Sequence, residues 1–171
     1  SGLIDILACM LELGLLTESG RLLKPEEAPP AARPYLGQAA GEAAFFLPGS
    51  GIYVTAGDVR RLQLAKAAVR AGVEVLLAQA EALPERVFLA GGFGSRMRPE
   101  SALRIGMLPG CLAGRIRGVG NSALAGAANM LLAQSAREEA QRLRDSMEYR
   151  ELSGNAAFSE AYMEAMAFDA L

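Results

Sequence analysis

The sequence predicts an α/β domain in which a mixed sheet is flanked by helices. Short apolar runs of strand type, such as residues 86–90, alternate with longer segments whose apolar residues recur every three or four positions. Glycine and proline separate these segments and mark turns. The chain has 171 residues, of which 51% are hydrophobic, so it is large enough for one globular domain with its own core.

The first helix is predicted over residues 2–13. Leu3 and Leu7 begin an apolar pattern at helical spacing, and Gly14 ends it. Prolines, glycines and small polar residues then interrupt every periodic pattern. We therefore expect residues 17–43 to form a long irregular connection at the surface.

A hairpin and a long helix follow this connection. The apolar runs 44–47 and 52–54 flank a proline- and glycine-rich turn, which is typical of a β-hairpin. Thr55 and Asp58 then have the spacing of a capping box, in which each side chain binds the backbone N–H of the other residue. The long helix is predicted from about residue 57 to residue 82.

The faces of this long helix are assigned from its spacing. Arg60, Gln63 and Lys66 are assigned to a polar face, which a solvated surface would explain. An apolar stripe at steps of three and four is assigned to the core, and it consists of Leu62, Ala65, Val69, Val73, Leu76 and Ala80.

The second half of the chain alternates between short strands and helices. Proline opens the first of these helices, glycine closes it, and Asn121 or Ser122 is expected to cap a later one. Strands are predicted at 86–90, 115–119 and 148–152, and helices at 99–105, 123–134, 135–147 and 156–167.

Composition excludes several classes of function. The chain has no histidine, which removes Ser-His-Asp catalysis and HExxH zinc sites. The two cysteines, Cys9 and Cys111, cannot supply a four-thiolate metal site, so no metal site is predicted and both thiols are expected to be buried. A net charge of -2 and the absence of a long apolar run argue against nucleic-acid and membrane partners, and two lone cysteines far apart in sequence favour a cytoplasmic protein.

The strongest candidate ligand site is the turn Gly91–Gly94 with Arg96, directly after an apolar strand. Glycines at such a position let a planar ligand approach the main chain, and open α/β sheets bind ligands at this edge. The spacing matches neither a dinucleotide fingerprint nor a phosphate-binding P-loop. An ordinary tight strand-to-helix connection explains the pattern equally well.

Two further features are weaker. The small residues of 119–127 could leave a helix N-terminus open to an anion, although close helix packing is the commoner use of such a segment. Between residues 86 and 134, six arginines and one acid, Glu100, give a local charge of +5. A polyphosphate or an acidic partner surface would suit these arginines, and so would pairing with the carboxylates that follow Glu138.

Several motifs in order resemble the carboxy-terminal ATPase domain of the reductive activators of corrinoid proteins. They are Ser1-Gly2-Leu3-Ile4-Asp5, the helix run 58–68, Phe88-Leu89-Ala90-Gly91-Gly92-Phe93-Gly94, Pro99-Glu100-Ser101-Ala102 and Val119-Gly120-Asn121-Ser122. The resemblance implies an RNase H-like half of an actin-like ATPase fold. It also implies a parent protein that passes one electron to cob(II)alamin with the help of ATP, and that carries a [2Fe-2S] cluster in an amino-terminal domain.

The resemblance also implies site residues. Gly91, Gly92 and Phe93 would lie against adenine and ribose, and Arg96 would stack on adenine. The phosphate loop, the magnesium ligands and the cluster cysteines would precede residue 1. The full set of implied nucleotide-binding residues is Ser1, Gly2, Gln63, Lys66, Gly91, Gly92, Phe93, Gly94, Arg96, Gly120 and Asn121.

Residues 1–171 are accordingly interpreted as one carboxy-terminal ATPase domain from a longer protein. It would bind the adenosine half of ATP and be inactive in isolation, with a corrinoid protein as partner and a homodimer as its assembly. Two alternatives stay open. One is a sugar or small-acid kinase of the same fold, and the other is a dimerisation or docking module without nucleotide affinity.

Overall fold

A computed structural model describes residues 2–80, 82–152 and 154–168, and the structural statements below concern these residues. Their helices and strands alternate as the sequence predicts, which confirms the α/β class. In chain order the elements are α1 (Gly2–Glu12), β1 (Leu36–Ala39), β2 (Glu42–Phe46), β3 (Tyr53–Thr55), α2 (Ala56–Ala80), β4 (Val87–Ala90), α3 (Gly91–Gly94), α4 (Pro99–Arg104), β5 (Ile116–Gly120), α5 (Ser122–Leu132), α6 (Gln134–Ser146) and α7 (Ala156–Glu164).

The strands form two small sheets. β1, β2 and β3 make an antiparallel sheet in that order, and β4 pairs in parallel with β5. The predicted hairpin is confirmed, since Phe45 pairs with Val54 and Phe46 with Tyr53. The connection between the parallel strands contains α3 and α4, as a parallel pair requires a crossover.

The start of α2 is fixed by side chains, and the predicted capping box is confirmed. The Asp58 N–H donates to Thr55 Oγ1 at 3.1 Å, and the Thr55 N–H donates to Asp58 Oδ2 at 3.0 Å. The Gly57 N–H donates to the carboxylate of Glu42 on β2 at 2.8 Å. Two of the otherwise unpaired N–H groups of the helix are therefore satisfied, and one of these bonds ties the helix to the antiparallel sheet.

One hydrophobic cluster joins the two ends of the chain. The inward face of α1 contributes Ile4, Leu7 and Met10, which are almost completely buried. The segment after α4 adds Ile105, and the carboxy-terminal end of the described chain adds Phe168. Where α1 packs on α4, Ser101 Oγ donates a 2.6 Å hydrogen bond to Asp5 Oδ1. This bond pairs two polar side chains that lie beside the cluster.

The predicted faces of α2 are only partly right: Leu62 is buried and Arg60 is exposed as expected, but other positions are reversed. Val69 and Leu76, assigned to the core, are exposed, whereas Gln63 and Lys66, assigned to a solvated face, are buried. The apolar and small residues of this helix are spread around its circumference, so their spacing alone does not select one buried face. Contact with α7 and with the antiparallel sheet decides which face is buried. The buried positions are Val59, Leu62, Gln63, Lys66, Ala67, Ala71 and Val75.

Two local predictions also need correction. The segment predicted to be irregular, 17–43, contains β1 and the start of β2, because pairing with the hairpin strand supplies the order that local pattern does not. Residues 148–152 form no strand among the described residues. No strand of the described ranges pairs with this segment, and a single extended segment is not a stable sheet.

The carboxy-terminal helices match the prediction more closely. α5, α6 and α7 lie within three residues of their predicted bounds. Phe158 and Tyr162 lie on the same side of α7, with ring centres 6.2 Å apart. Within the described ranges, no helix has the length and apolar character needed to cross a lipid bilayer.

Candidate functional site

The parallel pairing of β4 with β5 brings two of the predicted site segments to one sheet edge. Val87 pairs with Ile116, and Ala90 pairs with Gly120 after a register shift. The residues that follow these pairs are Gly91 and Asn121, so both loops leave the sheet side by side at the carboxyl ends of parallel strands. Ligands of open α/β sheets bind at this kind of edge.

The glycine turn itself is a single turn of helix, α3. Gly91 has φ +84°, a left-handed conformation that side chains rarely adopt. Its carbonyl accepts a 2.9 Å hydrogen bond from the Ser95 N–H, which closes the turn. Gly94 is packed against the backbone of Leu89, whereas a Cβ atom on Gly92 would meet nothing within 4 Å. A Cβ atom on Gly91 would also meet nothing within 4 Å, so among the three glycines of the turn only Gly92 combines open space with a φ that is not positive.

Two larger side chains next to the turn face solvent. Phe93 is 57% exposed although it is apolar, and Arg96 is exposed two residues after Gly94. An aromatic ring and a guanidinium can each stack on a planar heterocycle. The turn therefore combines open main chain with two groups suited to an aromatic ligand.

Asn121 caps helix α5. Its Oδ1 accepts a 3.0 Å hydrogen bond from the Leu124 N–H, which settles the choice between Asn121 and Ser122 as the capping residue. The cap satisfies one of the N–H groups that an anion would otherwise use. The helix start therefore has a structural explanation, and the hypothesis that it binds an anion gains no support from the geometry.

Gln63 and Lys66 donate hydrogen bonds to backbone carbonyls near the carboxy-terminal end of the described chain, and Gln63 also donates to Ser19. The Gln63 amide nitrogen donates to the carbonyls of Ser19, at 3.0 Å, and Met166, at 3.1 Å. Lys66 Nζ donates to the carbonyl of Ala167. The prediction that these two side chains lie on a solvated surface is wrong, and each has a structural role that the sequence did not reveal.

The remaining implied residues lie at the amino end. Gly2 begins α1 and is exposed, and Ser1 lies outside the described residues. α1 packs on α4 through the Ser101 and Asp5 contact. Both residues stand in motifs that carry the family resemblance, but no local pattern indicates contact between a carboxylate and a serine ninety-six positions apart.

The arginine cluster does not pair with the acids that follow Glu138. Those acids make local ion pairs instead, such as Glu139 with Arg142 and Asp145 with Arg144, both at 2.6 Å. None of the six arginines takes part in an ion pair within the described part of the chain. The cluster consists of Arg86, Arg96, Arg98, Arg104, Arg115 and Arg117.

The described residues include no candidate metal centre. They contain no group of three or more histidine, cysteine, aspartate or glutamate side chains that could hold a metal ion.

Cys9 and Cys111 are exposed, which corrects the expectation that both thiols are buried. The pKa of Asp58 lies below its usual value, chiefly because its carboxylate accepts a hydrogen bond from the Thr55 N–H, and this carboxylate belongs to the capping box of α2.

Comparisons with known proteins agree on one family. A family model described as the C-terminal domain of RACo, the ASKHA domain, matches residues 1–170. The chain is 28% identical over 176 residues to the corrinoid activation enzyme RamQ of Eubacterium limosum, covering 95% of this chain and 30% of that protein. A solved structure, a reductive activator for corrinoid, iron-sulfur protein, superimposes with a TM-score of 0.83 at 30% identity. That match covers 97% of this chain and 27% of the activator, so the chain spans less than a third of either relative.

Proposed function

The chain belongs to the family of RACo C-terminal ASKHA domains, and on this premise we propose that it binds the adenosine part of ATP at the edge formed by β4 and β5. The observation that carries the proposal is the register of these strands, which places the Gly91–Gly94 turn beside Gly120 and Asn121. Open main chain at Gly92 and the exposed Phe93 ring support a planar ligand there.

Four residues in and next to the turn have distinct parts in this proposal. Gly91 takes the left-handed conformation that redirects the chain out of the strand. Gly92 leaves room for the nucleoside to approach the backbone. Phe93 and Arg96 are exposed next to the turn and offer stacking surfaces to the base. When bound, ATP would supply the free energy for a conformational change, and these residues would fix its base and sugar.

We propose further that the longer protein is an activator of corrinoid proteins. The two relatives are named as a corrinoid activation enzyme and as a reductive activator for corrinoid, iron-sulfur protein. In this proposal ATP binding changes the angle between domains, and the corrinoid cobalt becomes accessible to a one-electron reductant. The reductant is a [2Fe-2S] cluster carried by another part of the polypeptide, and no ligand of that cluster or of magnesium is assigned to this chain.

A titration of the full-length parent protein with ATP tests the nucleotide site. We expect Gly92→Val to weaken ATP binding by about one to two decades, since a misplaced side chain costs roughly 1–3 kcal/mol and a decade is about 1.4 kcal/mol. Gly110→Val is the matched control, because its Cβ would also meet nothing within 4 Å. Equal ATP affinity in the wild type and in Gly92→Val, at matched stability, would contradict the proposal.

The corrinoid role has a separate test. The full-length parent is mixed with an oxidised corrinoid protein, a low-potential reductant and ATP, and the cobalt spectrum is followed. We expect loss of the cob(II)alamin signal only when ATP is present. Transfer of the γ-phosphoryl group to a sugar or a small acid, with no change at cobalt, would favour a kinase instead.

A further inference from the structure

Ser101 on α4 and Asp5 on α1 form a polar contact in a mostly apolar part of the molecule. Ser101 Oγ donates to Asp5 Oδ1 at 2.6 Å, a distance typical of a hydroxyl that donates to a carboxylate. Ser101 is 7% exposed and Asp5 is partly buried, so water has limited access to the bond. The residues of both helices that join the hydrophobic cluster are apolar, among them Ile4 and Ala102.

A directional contact of this kind fixes the position of α4 on α1. A hydrogen bond weakens steeply when its geometry changes, whereas the hydrophobic effect has no direction. A polar pair beside an apolar cluster also costs desolvation, and the best-attested use of such a pair is to specify one arrangement of the packed elements. Ser101 and Asp5 therefore specify where α4 lies.

The position of α4 determines that of the glycine turn, because the connection between them is short. α3 ends at Gly94 and α4 begins at Pro99, so four residues separate the two helices. The N–H groups of residues 95–97 donate to carbonyls of residues 91–94, at 2.9, 3.3 and 3.2 Å. A connection bonded in this way has little slack, so a shift of α4 moves the turn and Phe93 with it.

We propose that Ser101 and Asp5 are positioning residues for the Gly91–Gly94 turn. Their hydrogen bond holds α4 on α1, and α4 holds the turn in one orientation. Neither side chain belongs to the turn itself. The inference rests on the proposed function for its effect on ATP, since a site that is already formed loses less conformational entropy when its ligand binds.

Amide hydrogen exchange in the full-length parent protein tests the effect on the turn without any nucleotide. Mass spectrometry follows peptides that cover residues 91–98, whose N–H groups close the turn. We expect Ser101→Ala and Asp5→Ala to speed exchange in these peptides by about fivefold or more, since each variant removes the bond that holds α4. Asp5→Asn keeps an oxygen that accepts from Ser101, and its exchange should stay within about twofold of the wild type.

Gly14→Ala is the matched control for a general loss of stability. Gly14 lies just beyond the other end of α1 and has φ +63°, so alanine strains the backbone there without touching α4. We expect exchange in the 91–98 peptides to be unchanged in this variant. Exchange that is as slow in Ser101→Ala as in the wild type, or as fast in Gly14→Ala as in Ser101→Ala, would overturn the proposal.

ATP titration of the same variants gives the second readout. Ser101→Ala and Asp5→Ala should each weaken ATP binding by about three- to tenfold, and the double variant should be no weaker than either single one, because both remove the same bond. Gly14→Ala should bind ATP as the wild type does. Unchanged affinity in Ser101→Ala together with reduced affinity in Gly92→Val would overturn the positioning role. Unchanged affinity in both variants, with faster exchange in Ser101→Ala, would contradict the nucleotide site and still support the positioning of the turn.

Discussion

The ammonium group of Lys66 lies 4.9 Å from the centre of the Phe168 ring. Lys66 also donates a hydrogen bond to the carbonyl of Ala167, and its neighbour one helical turn earlier, Gln63, bonds to the carbonyl of Met166. The middle of α2 therefore holds the carboxy-terminal end of the described chain. A cation over an aromatic ring is a favourable contact, and burial strengthens it.

Loss of the Lys66 side chain should destabilise the domain. Lys66 is 1% exposed, and Lys66→Ala would leave the Ala167 carbonyl without its donor and open a void against Phe168. We expect a loss of about 1–3 kcal/mol in the free energy of unfolding, measured with urea. Arg60→Ala on the exposed face of the same helix is the control and should change stability by less than about 0.5 kcal/mol. Equal losses of stability in Lys66→Ala and Arg60→Ala would mean that the contacts of Lys66 with Ala167 and Phe168 do not stabilise the domain.

Gly20 should tolerate a side chain less well than Gly14. Both have positive φ, but a Cβ on Gly20 would lie 2.3 Å from the Gln63 amide nitrogen, whereas a Cβ on Gly14 meets nothing within 4 Å. Gly14→Ala carries only the backbone strain, about 1–2 kcal/mol. Gly20→Ala should cost about 1–3 kcal/mol more, because it displaces a buried, hydrogen-bonded amide. Denaturation of the two variants side by side checks the difference.

Substitutions at Gly91 and at Gly92 should differ in their effect on the free energy of unfolding. Gly91→Ala forces a side chain into a left-handed conformation and should lower the free energy of unfolding by about 1–2 kcal/mol. Gly92 has open space and no positive φ, so Gly92→Ala should leave stability within about 0.5 kcal/mol. Chemical denaturation of both variants measures this. A large loss of stability in Gly92→Ala would show that this glycine serves the fold.

The capping carboxylate of Asp58 predicts a pH dependence. The Thr55 N–H, the Thr55 hydroxyl and nearby Arg61 lower the pKa of Asp58 below its usual value of 3.8. A lowered pKa in the folded state contributes stability that is present above pH 3.8 and is lost as pH falls through the folded value. Asp58→Asn should therefore be less stable than the wild type at pH 7, by about 0.3–1 kcal/mol, and the difference should vanish in stronger acid.

A matched variant checks that this effect belongs to the cap. Asp145→Asn removes a carboxylate whose ion pair with Arg144 is exposed, so its stability should follow that of the wild type across the same pH range. A stability difference for Asp58→Asn that is independent of pH would contradict the assignment.

The chain by itself should not turn over ATP. The proposal places the groups that bind magnesium and the γ-phosphate in other parts of the longer protein, and the described residues hold no cluster of metal-binding side chains. We therefore expect phosphate release at the rate of a buffer blank when the 171-residue chain is incubated with ATP and magnesium. Steady release that a substitution within the chain abolishes would show that the catalytic groups lie here.

The sequence by itself determined the elements and one local motif. The alternation of short apolar runs with helical patterns gave the α/β class, and the spacing of Thr55 and Asp58 gave the start of α2 to within a residue. The glycines after residues 86–90 located the strand-to-loop turn at α3. These features depend on backbone conformation and on hydrogen bonds between residues close in sequence, so the local pattern contains the information.

Only the tertiary structure decided which residues meet. The register of β4 with β5 brings Gly91 and Asn121 together across about thirty residues of chain, and pairing with β2 orders β1 within a segment that has no periodic pattern of its own. The buried face of α2 is set by contact with α7, because the small and apolar residues of α2 are spread around its circumference. The aliphatic stem of a lysine also packs as readily as a leucine side chain, so residue type does not exclude Lys66 from the buried face. Burial of Lys66 depends on a carbonyl and an aromatic ring about a hundred residues away, and no local pattern specifies such contacts.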